Sequence, residues 1–129
     1  MKIYIAYKKR NGPWGGGNQF LSLLENEFKK NDFLAENIDE ADSILINSFT
    51  DIELIISVLL KGSVKPIIHR VDGPISKYRS DKISGLLDDL IVYFISHFLC
   101  DASIYQSSYS LNNSPSRKNK KYKVIHNTA

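Results

Sequence analysis

The sequence predicts an α/β protein built on an open parallel sheet with helices on both faces. Short segments rich in isoleucine, valine and tyrosine alternate along the chain with segments whose apolar residues recur at helical spacing. Residues 43–49 (SILINSF) form a continuous apolar run, which is typical of a parallel strand covered on both faces. A length of 129 residues supports one core. Together these observations predict a single Rossmann-like domain over residues 1–129.

The first half of the chain contains two predicted strand–helix units. Strands are indicated by alternating or continuous apolar runs, and helices by apolar stripes with capping residues at their ends. In order, we expect a strand at 1–7, a helix at 18–30, a short strand at 33–35, a strand at 43–49, and a helix from a capping box at 50–53 to Gly62.

The second half continues the alternation and contains the longest helix. We expect, in order, a strand at 64–69 with Pro66 at its start, a loop at 73–80, a helix opened by Ser80 or Asp81, a strand at 102–106, a brief helix or turn from Ser107, and a last strand at 122–126. The long helix is apolar nearly all round in its second half, so we expect it to be the most buried helix. Its predicted core stripe is Ile83, Leu86, Leu87, Leu90, Ile91, Phe94 and Phe98.

A glycine cluster follows the first strand in the sequence KIYIAYKKRNGPWGGGNQ. A strand that turns through glycines into a helix presents the unpaired N–H groups and positive dipole end of the helix N-terminus, which favour an anion such as a phosphate. The spacing fits neither the dinucleotide fingerprint nor the P-loop. Two interpretations stand, a phosphate cradle and a plain strand-to-helix turn, and Trp14 inside the loop favours function.

Unusual residues also collect at the other predicted strand ends, where ligands bind in open parallel sheets. His69 is expected at a strand's carboxyl end for acid–base work, or as a partly buried histidine that donates to a carbonyl. Arg70 is suited to bidentate binding of a phosphate or carboxylate, or to an ion pair with Asp72 or Asp51. His126 is open to either a functional or a structural interpretation.

Other chemically suggestive residues favour structural interpretations. Asp88 and Asp89 are expected on a solvated helix face, His97 in the core or at its boundary, and Cys100 in the core. The basic run at 117–123 (RKNKKYK) is expected to be a solvated loop. A net charge of +3 does not indicate nucleic acid, a single cysteine excludes an internal disulfide framework, and no metal-ligand spacing occurs. With a strand-like segment at its start, the chain is expected to be cytoplasmic.

Five segments taken in order resemble the N-terminal half of family-4-type GT-B glycosyltransferases. They are GPWGGGNQFL, ADSILINSF, IIHRVDGPISKYR, CDASIYQSSYS and VIHN, and the resemblance covers residues 2–127. It implies an acceptor-side domain that works with a donor domain binding a nucleotide sugar, without a metal. The sequence contains no pair of glutamates eight residues apart, which the donor domains of this family carry.

The resemblance also implies site residues. His69 would be the catalytic residue near the transferred sugar. The substrate-binding residues would be Gly15, Gly16, Gly17, Asn18, Arg70, Asp72, Tyr109 and Asn127. The implied activity is transfer of a hexosyl group from a nucleotide sugar to a glycan or lipid-linked acceptor, with this chain alone inactive. The implied partners are a sugar acceptor and a separate donor-domain chain, with at most peripheral contact at the inner face of a membrane. The alternatives are a non-catalytic glycan- or phosphate-binding module or truncated relic, and a nucleotide-binding domain of another class.

Overall fold

A computed structural model describes residues 1–7, 15–47, 52–61, 65–72, 82–114 and 121–126. The elements are β1 (Ile3–Ala6), α1 (Gly15–Lys30), β2 (Ser43–Asn47), α2 (Ile52–Lys61), β3 (Ile67–Val71), α3 (Lys82–Phe94), a π-helical turn (Ile95–Leu99), β4 (Ala102–Tyr105), α4 (Ser108–Asn113) and β5 (Lys121–Val124). The five strands form one parallel sheet in the order β1-β2-β3-β4-β5. The predicted α/β class with an open, Rossmann-like parallel sheet is confirmed.

The short strand predicted at residues 33–35 exists as a single parallel bridge between Ile3 and Leu34. The Ile3 amide donates to the Phe33 carbonyl at 2.7 Å, and the Ala35 amide donates to the Ile3 carbonyl at 2.9 Å. When Leu34 is counted as a rudimentary second strand, the chain order across the sheet becomes 2-1-3-4-5-6. It therefore reverses once, at β1, as in doubly wound sheets.

The chain divides into two compact units, the first formed by Met1–Leu45 with Thr50–Pro66. Helix α1 in this unit ends in a Schellman motif. The Phe33 amide donates to the Phe28 carbonyl at 2.7 Å and the Asp32 amide to the Lys29 carbonyl at 3.2 Å, with Asp32 at φ 60°. This motif turns the chain back beside β1. The buried apolar side chains of this unit are Ile5, Ala6, Leu21, Ala35, Ile38, Ala41, Ile44, Leu45, Ile55 and Val58.

The second unit comprises Ile46–Phe49 and Ile67–Ala129. Its strands align Val71 with Tyr105 and Tyr105 with Val124. Val71 and Tyr105 pack with Val92 of α3 in a fully buried cluster, to which Leu111 and Val124 add partly buried contacts. Because side chains alternate along a strand, His69 points to this helix-covered face, whereas Arg70 points to the opposite one.

The prediction that α3 buries its leucine-rich stripe is wrong. Of that stripe, the side chains of Ile83, Leu86, Leu87, Leu90, Phe94 and Phe98 are exposed. The buried positions are Gly85, Asp88, Asp89, Val92, Ile95 and Ser96. Both sets recur at spacings of three and four residues, so periodicity alone could not select the inward face. Asp88 and Asp89 are consequently buried, and the prediction of a solvated face for them is also wrong.

The remaining predictions concern β3 and residues outside the described ranges. Strand β3 begins after Pro66 and continues to Val71, because Val71 pairs with Tyr105. His69 is therefore the middle residue of the strand, and the prediction that it ends the strand is wrong. Several predicted features lie outside the described residues. They are Thr50 and Asp51 of the predicted capping box, Gly62, residues 8–14 of the glycine segment, the loop at 73–80 and Asn127. The prediction of a single domain over 1–129 stays a prediction.

Candidate functional site

Polar side chains from three neighbouring strand ends meet around Arg70. We call this set, formed by Asn47, Arg70, Asp72, Gln106 and Ser110, the strand-end network. The Arg70 guanidinium donates to Asn47 Oδ1 at 2.8 Å, to Gln106 Oε1 at 3.3 Å and to Asp72 Oδ1. Arg70 is 5% exposed as a residue. The planar guanidinium is suited to this position, because it directs several N–H groups at separate acceptors at once.

The network also fixes the backbone at the end of β3. The Asp72 carbonyl accepts hydrogen bonds from Gln106 Nε2 at 2.6 Å and from Ser110 Oγ at 2.9 Å. Ser110 lies in α4, whose N-cap is Ser107: the Ser107 hydroxyl accepts from the Ser110 amide at 3.1 Å. The segments that follow β3 and β4 are therefore tied to each other at one carbonyl group.

The charges of Arg70 and Asp72 are both affected by burial. Burial lowers the pKa of the Arg70 guanidinium, and Asp72 opposes this shift. Burial raises the pKa of the Asp72 carboxyl, although Arg70 and a hydrogen bond from Asn47 act in the opposite direction. The Asp72 side chain keeps 31% of its surface exposed, compared with 6% for that of Arg70. Asp72 is thus the charged member of the network that a ligand can reach.

Eight of the nine predicted site residues, all except Asn127, lie within the described residues and divide into three groups. Arg70 and Asp72 come together in the strand-end network, and Tyr109 lies beside Ser110 in α4 with 45% of its surface exposed. His69 has no exposed surface, so no ligand touches it in this conformation. Gly15, Gly16, Gly17 and Asn18 form the first turn of α1, which starts three residues earlier than expected.

Sequence reasoning did not find Gln106 and Asn47 as parts of this site. Asn47 is the last residue of the apolar run in β2, and Gln106 directly follows β4. Their position would have indicated them. Both are polar residues directly at the carboxyl end of a parallel strand, and the carboxyl ends of neighbouring strands lie at one edge of the sheet. Their amide groups match no catalytic motif, so residue type alone does not predict a role for them.

A separate small pocket lies in the first unit. It has a volume of about 190 Å³ and is lined by Tyr4, Ile5, Tyr7, Glu25, Leu34, Ala35 and Glu36. The Tyr7 hydroxyl donates to Glu25 Oε2 at 2.5 Å, and burial together with this carboxylate raises the pKa of Tyr7. Ligand sites for small molecules usually span roughly 300–1,000 Å³. The pocket is therefore too small for a nucleotide sugar.

Metal-binding and membrane-spanning features are both absent from the described residues. No cluster of three or more His, Cys, Asp and Glu side chains within them could hold a metal ion. No helix in the same part of the chain is long and apolar enough to cross a membrane. Comparison of the chain with family models, with curated proteins and with solved structures finds no match.

Proposed function

We propose that this chain is the acceptor-side half of a glycosyltransferase, which transfers a hexosyl group from a nucleotide sugar to a glycan or lipid-linked acceptor. The sequence resemblance to the family-4-type GT-B enzymes motivates the proposal. The open parallel sheet agrees with it. The observation that carries it is the strand-end network, which ties the end of β3 to the start of α4 at the Asp72 carbonyl.

The network supports binding of a hydroxyl-rich acceptor beside it. Asp72 offers a partly exposed carboxylate, and Gln106 and Ser107 are also partly exposed. Tyr109 adds an exposed aromatic ring and a hydroxyl on the adjoining helix. Carboxylate and hydroxyl groups accept hydrogen bonds from sugar hydroxyls. Arg70 serves here by holding Asp72 in place, because its guanidinium is buried and already donates to protein acceptors.

In the proposed reaction an acceptor hydroxyl forms a bond to the anomeric carbon of the donor sugar, and the bond between that carbon and the diphosphate oxygen breaks. The hydroxyl proton passes to the departing nucleoside diphosphate. The nucleotide sugar would be bound by a separate donor-domain chain. The first turn of α1 would face the donor phosphates with its amide groups, as helix N-termini do for anions. The proposed location is cytoplasmic, with peripheral contact at the inner face of the membrane.

The test is an assay of nucleoside diphosphate release with a panel of nucleotide sugars and acceptor glycans. The chain is measured alone and together with a protein encoded next to it that carries a donor domain. We expect turnover only in the combined reaction. Tyr109→Phe should weaken acceptor binding. Tyr122→Phe is the matched control, because Tyr122 is similarly exposed but does not lie at a strand end next to the network: it pairs with Ser103, two residues before the end of β4. Absence of turnover in both reactions would refute the split-enzyme proposal.

The burial of His69 favours a second candidate, a non-catalytic module that binds a glycan or phosphate. A histidine with no exposed surface on the helix-covered face of the sheet is placed as a core residue. This candidate predicts ligand binding by the chain alone without any turnover. Titration of glycans and of pyrophosphate by calorimetry separates the two ligand classes, and loss of pyrophosphate binding on Gly16→Val would assign that ligand to the start of α1.

A further inference from the structure

We propose that the exposed apolar side of α3 pairs with the same surface of a second copy of this chain. We call this surface, formed by Ile83, Leu86, Leu87, Leu90, Phe94 and Phe98, the α3 apolar face. The exposed fractions of its side chains run from 41% for Phe94 to 74% for Ile83. The rings of Phe94 and Phe98 lie 5.3 Å apart, so the face continues onto the π-helical turn.

The size of the face exceeds what an isolated protein ordinarily exposes. With about 200 Å² for each fully exposed large side chain, the exposed fractions correspond to roughly 700 Å² of apolar surface. The largest apolar patch on a typical monomer is about 300–600 Å². Two copies that covered the whole face would bury about 1,400 Å² in total, which falls in the range of specific protein–protein interfaces. The area available is therefore what a stable dimer needs.

The charges of α3 make this face compatible with itself. Between Ile83 and Phe94 the charged side chains are those of Asp88 and Asp89, and both are buried on the inward side of the helix. A second copy would therefore meet no like charge from this part of α3. A helix that binds a lipid surface, by contrast, exposes lysine and arginine beside its apolar face. Residues 83–94 contain neither lysine nor arginine, which favours a protein copy over a lipid surface.

The arrangement of the residues also defines the geometry of the pair. Homodimers are commonly related by a two-fold axis, in which residue i of one copy meets residue j of the other and the reverse. Leu90 lies at the middle of the face. An antiparallel pairing about an axis near Leu90 places Ile83 opposite Phe98 and Leu87 opposite Phe94 of the second copy. This arrangement matches large side chains along the full length of the face.

The first experiment measures the mass of the full chain by analytical ultracentrifugation across a concentration series. We expect a monomer–dimer equilibrium with a dissociation constant in the micromolar range or below, as for interfaces of this size. Leu90→Glu should raise that constant at least about tenfold, because two carboxylates would meet near the axis. Leu23→Glu is the matched control, since Leu23 of α1 is 67% exposed compared with 63% for Leu90. Circular dichroism checks that both variants remain folded.

The second experiment tests the antiparallel geometry by disulfide formation. Leu90→Cys should crosslink with itself, whereas Ile83→Cys and Phe98→Cys should crosslink when mixed and not when each is alone. The native Cys100 is buried and leaves the introduced thiols as the accessible ones. The proposal is overturned if the chain stays monomeric well above micromolar concentration. It is also overturned if the α3 apolar face becomes covered only when vesicles or a donor-domain chain are added. Self-crosslinking of Ile83→Cys would overturn the antiparallel geometry.

Discussion

Substitution of Arg70 by methionine should destabilise the protein strongly. The change keeps a long unbranched side chain but removes the charge that the Asp72 carboxylate faces. It also removes donors from Asn47 Oδ1 and Gln106 Oε1. Removing one partner of a buried ion pair costs about 3–5 kcal/mol, because the other charge is left uncompensated. We expect about 3 kcal/mol, at the lower end, because 31% of the Asp72 side chain reaches water.

The measurement is urea unfolding at pH 7, with midpoints compared at equal m-values. Arg70→Lys should lose less, about 1–2 kcal/mol, because an ammonium keeps the charge but leaves some of the buried acceptors without a donor. Lys2→Met is a control in which the pair with Asp32 is broken at the surface. We expect a much smaller loss for that variant, because both charges already contact water in the parent and the remaining Asp32 carboxylate stays solvated.

A second signature separates loss of charge compensation from a packing defect. Without Arg70, the folded-state pKa of Asp72 rises further, so the folded variant takes up a proton more readily than the unfolded chain. The deficit of Arg70→Met relative to the parent should therefore shrink as the pH falls through that raised pKa. A deficit below about 1 kcal/mol at pH 7, or one that does not change with pH, would refute the assignment of Arg70 as the charge that compensates Asp72.

Three further predictions also concern the second unit. Because burial raises the folded-state pKa of Asp72 above its ordinary 3.8, the parent loses stability as the pH rises from 3.8 through that raised pKa. The free energy of unfolding of the parent minus that of Asp72→Asn should therefore be larger at pH 3 than at pH 7. If this difference instead grows with pH, Arg70 outweighs burial in setting the pKa of Asp72. Ser107→Ala should cost about 1 kcal/mol in urea unfolding through loss of the α4 cap, whereas the exposed neighbour Ser108→Ala should cost little. Ile95→Ala should cost about 2–5 kcal/mol, because Ile95 is fully buried. The exposed Ile83→Ala should cost less than about 0.5 kcal/mol in dilute solution. Equal losses would contradict the assignment of the Ile95 side of the helix as the inward one.

The sequence predicted the order and type of the elements, because local patterns determine them. The bridge at Leu34 and the strand before α2 follow from short apolar runs between turn residues. The rotation of α3 could not be predicted in the same way. Its inward side is selected by long-range packing of Val92 against Val71 and Tyr105, which no local pattern encodes. The leucine-rich side is the more hydrophobic of the two and yet faces outward.

The candidate site was predictable only in part for a related reason. The position of Arg70 and Asp72 at a strand end indicated a polar site, and the structure brings them together. The burial of His69 depends on how far β3 extends, and that is set by the pairing of Val71 with Tyr105 on the neighbouring strand. Such pairing is not visible in the sequence of β3 itself.

The buried polar side and the exposed apolar side of α3 have one consequence for folding. Burying Asp88 and Asp89 opposes folding unless their charges are compensated. Leaving the leucines in water means that their apolar surface contributes no hydrophobic stabilisation, which is the dominant favourable contribution to folding. A second copy on the α3 apolar face would recover that contribution without moving the aspartates. The stability of the chain should then rise with its concentration, as it does for any protein whose folded state binds a partner. If the unfolding midpoint of the parent proves independent of concentration while Leu90→Glu unfolds at the same midpoint, the exposed face contributes nothing to stability and the pairing does not occur.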